Sequence, residues 1–284
     1  MKIILRVLAA LFICSALIAG AQAQDAKRSI TEIGGGLYRF QNNFHNSVFL
    51  VTSDGVIATD PINAAAATWL KDEIAKRFDK KIKYVIYSHD HADHISGGEV
   101  WADDAIVIAH ENAKKAIVGE NRPTAIPDLT FRHKMTVELG GKTVELRYLG
   151  RSHSNNMIVM RFPEQRAVFT VDFTAIKRLP YRNLADAYFP DWIRTIKRLG
   201  HMDFDVMLTG HGPNGTKQDA IDHGQYIEDL YNAVLTGMRQ GKSLADLQAS
   251  VTLDAYKSWG QYDKWRTLNI EGMYNNIALH RRGN

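Results

Sequence analysis

The chain has 284 residues, 35 Lys and Arg against 31 Asp and Glu, and one cysteine. That balance is no electrostatic footprint for nucleic acid, and a lone cysteine excludes a disulfide framework. The length supports one substantial core with room for an appendage.

Lys2 and Arg6 flank the start of an apolar stretch that runs on from Val7 to Gly20, followed by Ala21, Gln22 and Ala23. This reads as an export signal (1–23) cut after Ala23, which predicts a periplasmic or secreted protein. The run is shorter than the roughly 20 residues of a membrane span, so no stable membrane insertion is expected after cleavage. Cys14 lies within the signal, and loss of Lys2 and Arg6 leaves 33 basic residues against 31 acidic, a net charge of +2.

Residues 31–60 read as strands, LYRF, SVFLVT and VIATD, with a turn at Ser53, Asp54 and Gly55. Their weak alternation suits a sheet covered on both faces. Asp60 closes the third strand before Pro61. Ala66, Leu70, Ile74 and Phe78 recur at spacing four and predict a helix over 64–78, after which YVIY is the next strand. Strand, helix, strand argues for a parallel right-handed crossover, and the loop beyond it leaves the carboxyl end of a strand, where open α/β sheets place their sites.

That loop is SHDHADHISGG, Ser88 to Gly98, with His89, His91, Asp93 and His94 within six residues. Buried imidazoles and carboxylates each need a partner, so packing is a poor account of four together, whereas metal binding is a good one. His89 and His91 can point one way from an extended loop while Asp93 and His94 turn toward a second point, which makes two metal ions geometrically natural.

Further on, Glu99 to Trp101 read as a short helix, AIVIA as a strand and ENAKKAIV as a helix. Gly119 to Asp128, with Pro123 and Pro127, is a candidate flap. MTVEL, a Gly140 and Gly141 turn, TVELRYL, MIVMRF and AVFTVDF predict a meander. Residues 190–199 read as a helix and 203–209 as a strand; beyond Lys217 the chain turns helical, with Ile227, Leu230, Val234 and Met238 on one face.

Three later residues sit in polar loops beside apolar strands, as site residues on a rigid scaffold do: His153 in GRSHSNN, Asp172 after VFTV, and His211 in GHGPNG. A single loop His or Asp more often caps or faces water. Bland readings are preferred elsewhere: His110 as a structural imidazole, Asn155 and Asn156 as backbone partners, and the aromatic tail around Trp259, Tyr262, Trp265 and Tyr274 as packing, with a wall of the substrate pocket or a dimer face as the alternative for part of it. Lys177, Arg178, Tyr181 and Arg182 read equally as an anion site or a solvated loop.

The HDHADH run, followed in order by His153, Asp172 and His211, resembles the metallo-β-lactamase superfamily over nearly all of the mature chain up to about Gly215. The resemblance implies a four-layer αβ/βα sandwich over 28–215, with 216–284 as a helical C-terminal extension packed on that catalytic domain. It implies one metal held by His89, His91 and His153, a second by Asp93, His94 and His211, and Asp172 bridging them. Asp60 would hold the ligand loop by hydrogen bonds; a turn-forming Asp before Pro61 is the alternative. Two zinc ions are expected, with iron or manganese also compatible with these donors. The reaction implied is hydrolysis of a small molecule by a metal-bridging hydroxide, with Asp93 able to orient it or relay its proton. Retention of the carboxylate Asp172, where secreted β-lactamases of the family commonly have Cys or no ligand, favours an ester, thioester, lactone or similar substrate. A β-lactamase and a non-catalytic metal-binding accessory protein of a periplasmic redox system are the alternatives. No residue is assigned to substrate binding.

Overall fold

The structure is a computed structural model and describes residues 26–280. The expected signal at 1–23, Cys14 included, lies outside the described residues. Two sheets face each other. In the first, β1 (Arg28–Gly34), β2 (Leu37–Asn42), β3 (His45–Val51) and β4 (Val56–Thr59) form an antiparallel run. Helix α1 (Ala64–Phe78) then crosses to β5 (Ile82–Ile86), which pairs parallel with β4. Its ends are set locally: Asn63 accepts from the Ala66 amide at 2.9 Å, and Asp79 closes it in the left-handed region.

Short helices α2 (Ala92–Ile95) and α3 (Glu99–Ala102) lead to β6 (Ile106–His110), α4 (Glu111–Gly119) and β7 (Leu129–Phe131), β6 pairing parallel with β5 and β7 parallel with β6. The second sheet has the order β12-β11-β10-β9-β8. It comprises β8 (Lys134–Leu139), β9 (Lys142–Arg147), β10 (Val159–Phe162) and β11 (Ala167–Val171), then, after α5 (Phe189–Gly200), β12 (Val206–Thr209) parallel to β11. Helices α6 (Lys217–Arg239), α7 (Leu244–Ser250) and α8 (Tyr262–Leu279) complete the chain.

Alternate residues of the first sheet serve two cores. Val48, Leu50, Ile57, Ile86 and Ile108 join a cluster with the second sheet, α5, α6 and α8, while Phe49, Val56, Ala58, Val85 and Val107 pack beneath α1, α3 and α4. This is the four-layer α/β sandwich with C-terminal helices. The sequence shows little alternation because both faces of these strands are covered.

The differences from expectation are local. Strand β1 begins earlier than residue 31, and its half-exposed residues carry little periodic signal. Residues 203–205 precede β12 as a loop, where Asp203 and Asp205 pair with Arg166. The candidate flap is a strap: Thr124 binds the Tyr87 hydroxyl at 3.0 Å and donates to Ile95 O at 2.6 Å, and Arg122 donates to Asp90 O at 2.5 Å.

Helix α8 is tied to the rest through Asn269, which is fully buried. It accepts from the Tyr226 hydroxyl at 2.6 Å and donates to Pro180 O at 3.0 Å and Arg182 O at 2.5 Å. Asn269→Ala leaves these groups unpaired and is expected to cost about 1–3 kcal/mol, read as a lower urea midpoint. An unchanged midpoint would show that the tail is not fastened there.

Candidate metal centre

The ligand loop follows β5 and is shaped by Asp60, at the end of β4. Asp60 is wholly buried and accepts from the Ser88 amide at 2.8 Å and the Ser88 hydroxyl at 2.6 Å, and its second oxygen lies 3.1 Å from His94 Nδ1. Ser88 Oγ lies in turn 2.9 Å from His89 Nδ1. Asn156 fixes the next residue, accepting from the Asp90 amide at 3.0 Å and donating to Asp90 Oδ1 at 2.8 Å. Gly97, at φ +87, completes the loop; a Cβ there would meet the backbone of Asn63 and Ala64 at 2.4 Å.

The later residues arrive from the second sheet. Val171 ends β11 at φ +53, an outlier for a β-branched residue, and this turn delivers Asp172. Gly210 follows β12 so closely that a Cβ would stand 2.7 Å from Asp172 Oδ1 and 2.9 Å from His94 Cε1. Asn46 of β3 ties the sheets together here, donating to Thr209 O at 3.1 Å and Gly212 O at 3.0 Å.

Seven residues expected at the site meet in two groups that share Asp172: His89, His91, His153 and Asp172, and Asp93, His94, Asp172 and His211. Within each group one ligand atom per residue lies within 4.8 Å of the others. Asp172 Oδ2 is 3.4 Å from His94 Nε2 and 3.7 Å from His153 Nε2, and Oδ1 is 3.4 Å from His211 Nε2. Asp93 Oδ2 is 3.4 Å from His211 Nε2.

The outer nitrogens of four of these rings are occupied. His89 Nδ1 faces Ser88, His94 Nδ1 faces Asp60, His211 Nδ1 donates to Phe44 O at 3.0 Å, and His91 Nε2 lies 2.9 Å from Asp186 Oδ2. The opposite nitrogens are thereby left to face inward. His89 Nε2, His94 Nε2 and Asp172 Oδ1 are buried with no hydrogen-bond partner among the described residues. His91 Nδ1 and His153 Nε2 are 3.1 Å apart, close to the about 3.3 Å separating two nitrogens on one tetrahedral zinc at ordinary bond lengths. A cation is what such a donor set accommodates.

Electrostatics point the same way. Burial, with His91 and His94 adding to it, pushes the His89 imidazole well below its usual pKa, and burial takes His153 down to about 4, so both present free lone pairs. Burial would also lower His94 and His211, but Asp172 outweighs it; with Asp60 it holds His94 well above the usual value, and with Asp93 it lifts His211 to about 9. Burial works against ionisation of Asp172 and Asp93, yet the neighbouring imidazoles hold both well below the usual carboxylate range. The carboxylates thus favour positive charge between them.

The centre opens into a cleft of about 720 Å³ whose walls include Phe44, Trp192, Leu184, Tyr181 and Trp265. Two polar neighbours escape sequence reasoning. His45, at the start of β3, places Nε2 3.4 Å from Asp93 Oδ2, and Asp186 reaches His91 from the long connection before α5. A lone His in a hairpin and a lone Asp in an aperiodic stretch carry no signal of their own. His110 is a satisfied structural imidazole, its Nε2 2.9 Å from Arg132 O and its Nδ1 accepting from the Asn112 amide.

The family model described as Metallo-beta-lactamase superfamily matches residues 41–211. The 2,4-dinitroanisole O-demethylase subunit alpha of Nocardioides sp. (strain JS1661) is 26% identical over 184 residues, 63% of this chain and 56% of that protein, so the chain spans little more than half of its length. The Metallo-beta-lactamase type 2 of Elizabethkingia meningoseptica is 28% identical over 184 residues, 63% of this chain and 72% of its own. That of Bacillus cereus is 27% identical over 186 residues, covering 61% and 68%. Among solved structures, the metallo-beta-lactamase from Pontibacter korlensis shares the fold with a TM-score of 0.65 at 21% identity, over 71% of this chain and 99% of that one.

Proposed function

The chain belongs to the metallo-beta-lactamase superfamily, and on that premise we propose that it is a dinuclear zinc hydrolase that cleaves an ester, thioester, lactone or similar bond of a small molecule in the periplasm. The observation that carries this reading is Asp172, the one residue common to both ligand groups. His89, His91 and His153 would hold one ion, Asp93, His94 and His211 the other, and Asp172 both. When bound, the pair would supply water activation at neutral pH and Lewis-acid polarisation of the scissile group.

The side chains then have distinct tasks. Asp93, its side chain 46% exposed where the cleft meets the centre, is placed to orient the attacking water or relay its proton. Asp60, Ser88, Asp186 and the Phe44 carbonyl fix imidazole orientation and tautomer. The apolar walls limit bulk water around the scissile bond and strengthen each charge contact inside. The location rests on the basic, apolar and small-residue order of residues 1–23. Among the described residues no helix is long and apolar enough to cross a membrane.

A second reading, β-lactam hydrolysis, is favoured by relatives named type 2 metallo-beta-lactamases. The name of the demethylase relative adds an activated aryl ether to the candidate substrates. The purified mature protein is expected to bind about two equivalents of zinc, His211→Ala about one. A panel of lactones, thioesters, aryl sulfates, nitrocefin and 2,4-dinitroanisole then separates the readings by turnover. A single ion indifferent to His211→Ala would sink the dinuclear assignment. Bound zinc with no turnover of any member would leave the accessory-protein reading in its place.

A further inference from the structure

The connection after β11 carries three cations in different settings. Lys177 pairs with Asp222 at 2.6 Å, and Arg182 is exposed, 5.0 Å over the ring of Tyr181. Arg178 differs. It lines the cleft, half-buried, with its guanidinium 4.7 Å over the Trp265 ring of α8. Among the described residues no carboxylate lies within 4.0 Å of it and no hydrogen bond uses its donors.

Its setting is built rather than loose. Leu179 donates to Gly260 O at 3.0 Å and Gly260 donates to Lys177 O at 2.8 Å, so Arg178 sits on a two-residue bridge to the tail. Trp265 is itself held edge-on by Tyr181 at 5.2 Å. The result is a planar fork of five N–H donors, oriented by stacking and without an acceptor. Burial pulls its pKa down and Asp172 opposes this, but a guanidinium stays charged throughout the accessible pH range.

The charge pattern of the cleft gives the complement. Asp93, Asp172 and Asp186 each face imidazoles of the centre, which leaves Arg178 as a cleft-lining cation with no carboxylate paired to it among the described residues. Phe44, Leu179, Pro180 and Leu184 add apolar surface to the same cleft. Resting on the reading of this cleft as the substrate site, we propose that Arg178, stacked on Trp265, binds an oxyanion of the substrate, so that the molecule hydrolysed is a small carboxylate or sulfonate with an apolar or aromatic body.

The test is calorimetric titration of the zinc-loaded protein with 3-phenylpropanoate, 2-phenylethanesulfonate and the neutral 3-phenylpropanamide. The wild type should prefer an anion over the amide, and the better of the two names the oxyanion. Arg178→Met keeps an apolar stem against Trp265 and should lower that preference by about tenfold or more. Arg178→Lys, which keeps the charge without the fork, should recover part of it. An unchanged preference in Arg178→Met would overturn the inference, because the anion is then held by the metal centre. A parallel loss of all three ligands would overturn it too, because Arg178 then only supports the cleft. Binding is read without turnover, so a failed hydrolysis panel and a failed anion preference are separate results.

Discussion

Asp172→Asn is expected to weaken both metal ions together, by about 10²-fold or more in chelator competition, and to remove turnover with them. The substitution keeps the volume and removes the charge and one acceptor oxygen. Each oxygen of Asp172 faces a different part of the centre: Oδ2 is near His94 and His153, and Oδ1 is near His211. An amide must therefore turn its NH₂ either toward His94 and His153 or toward His211, and it offers neither ion a carboxylate. His211→Ala touches one group only and should leave the other ion at close to wild-type affinity. The contrast is the test. Asp172→Asn retaining two ions at wild-type affinity, or shedding one and keeping the other unaffected, would end the case for a bridging carboxylate.

How far the sequence disclosed this site depends on how locally each part is encoded. The ligand loop is legible because four metal-competent residues follow directly on a strand, and α1 is legible to both ends because its apolar spacing and its caps are all local. Asp172 and His211 are legible as strand-end residues, and their order along the chain links them to the loop. Strand β7 is not, since three residues with two exposed have no pattern to show. His45 and Asp186 acquire meaning only when β3 and the stretch before α5 are brought against Asp93 and His91. Arg178 is the sharpest case: in the sequence it is one of several cations, and only its half-buried place in the cleft wall, with Lys177 paired to Asp222 and Arg182 exposed, singles it out. Distant approach, rather than local preference, decides all three.

Asp60 shows the opposite relation, a residue whose local reading as a turn before Pro61 and its role at the centre are compatible. Its backbone lies at φ +30, and both oxygens are consumed by the ligand loop. Asp60→Ala leaves the Ser88 amide, the Ser88 hydroxyl and His94 Nδ1 buried without their acceptor. Removal of one partner from a buried charged pair costs about 3–5 kcal/mol. For a chain of this size that corresponds to a fall of roughly 6–20 °C in thermal midpoint. Asp60→Asn is no rescue, because its NH₂ would meet the donor on Ser88 or on His94. Stability alone does not separate a structural Asp from one that prepares ligands, but the response to zinc does. Without Asp60, His94 loses the partner that fixes its tautomer and His89 loses the Ser88 orientation, so zinc affinity should drop by about 10- to 100-fold. The rise in midpoint that zinc confers, which scales with the logarithm of ligand over dissociation constant, must then shrink. A variant that melts early yet gains as much from zinc as the wild type would leave Asp60 a turn residue and no more.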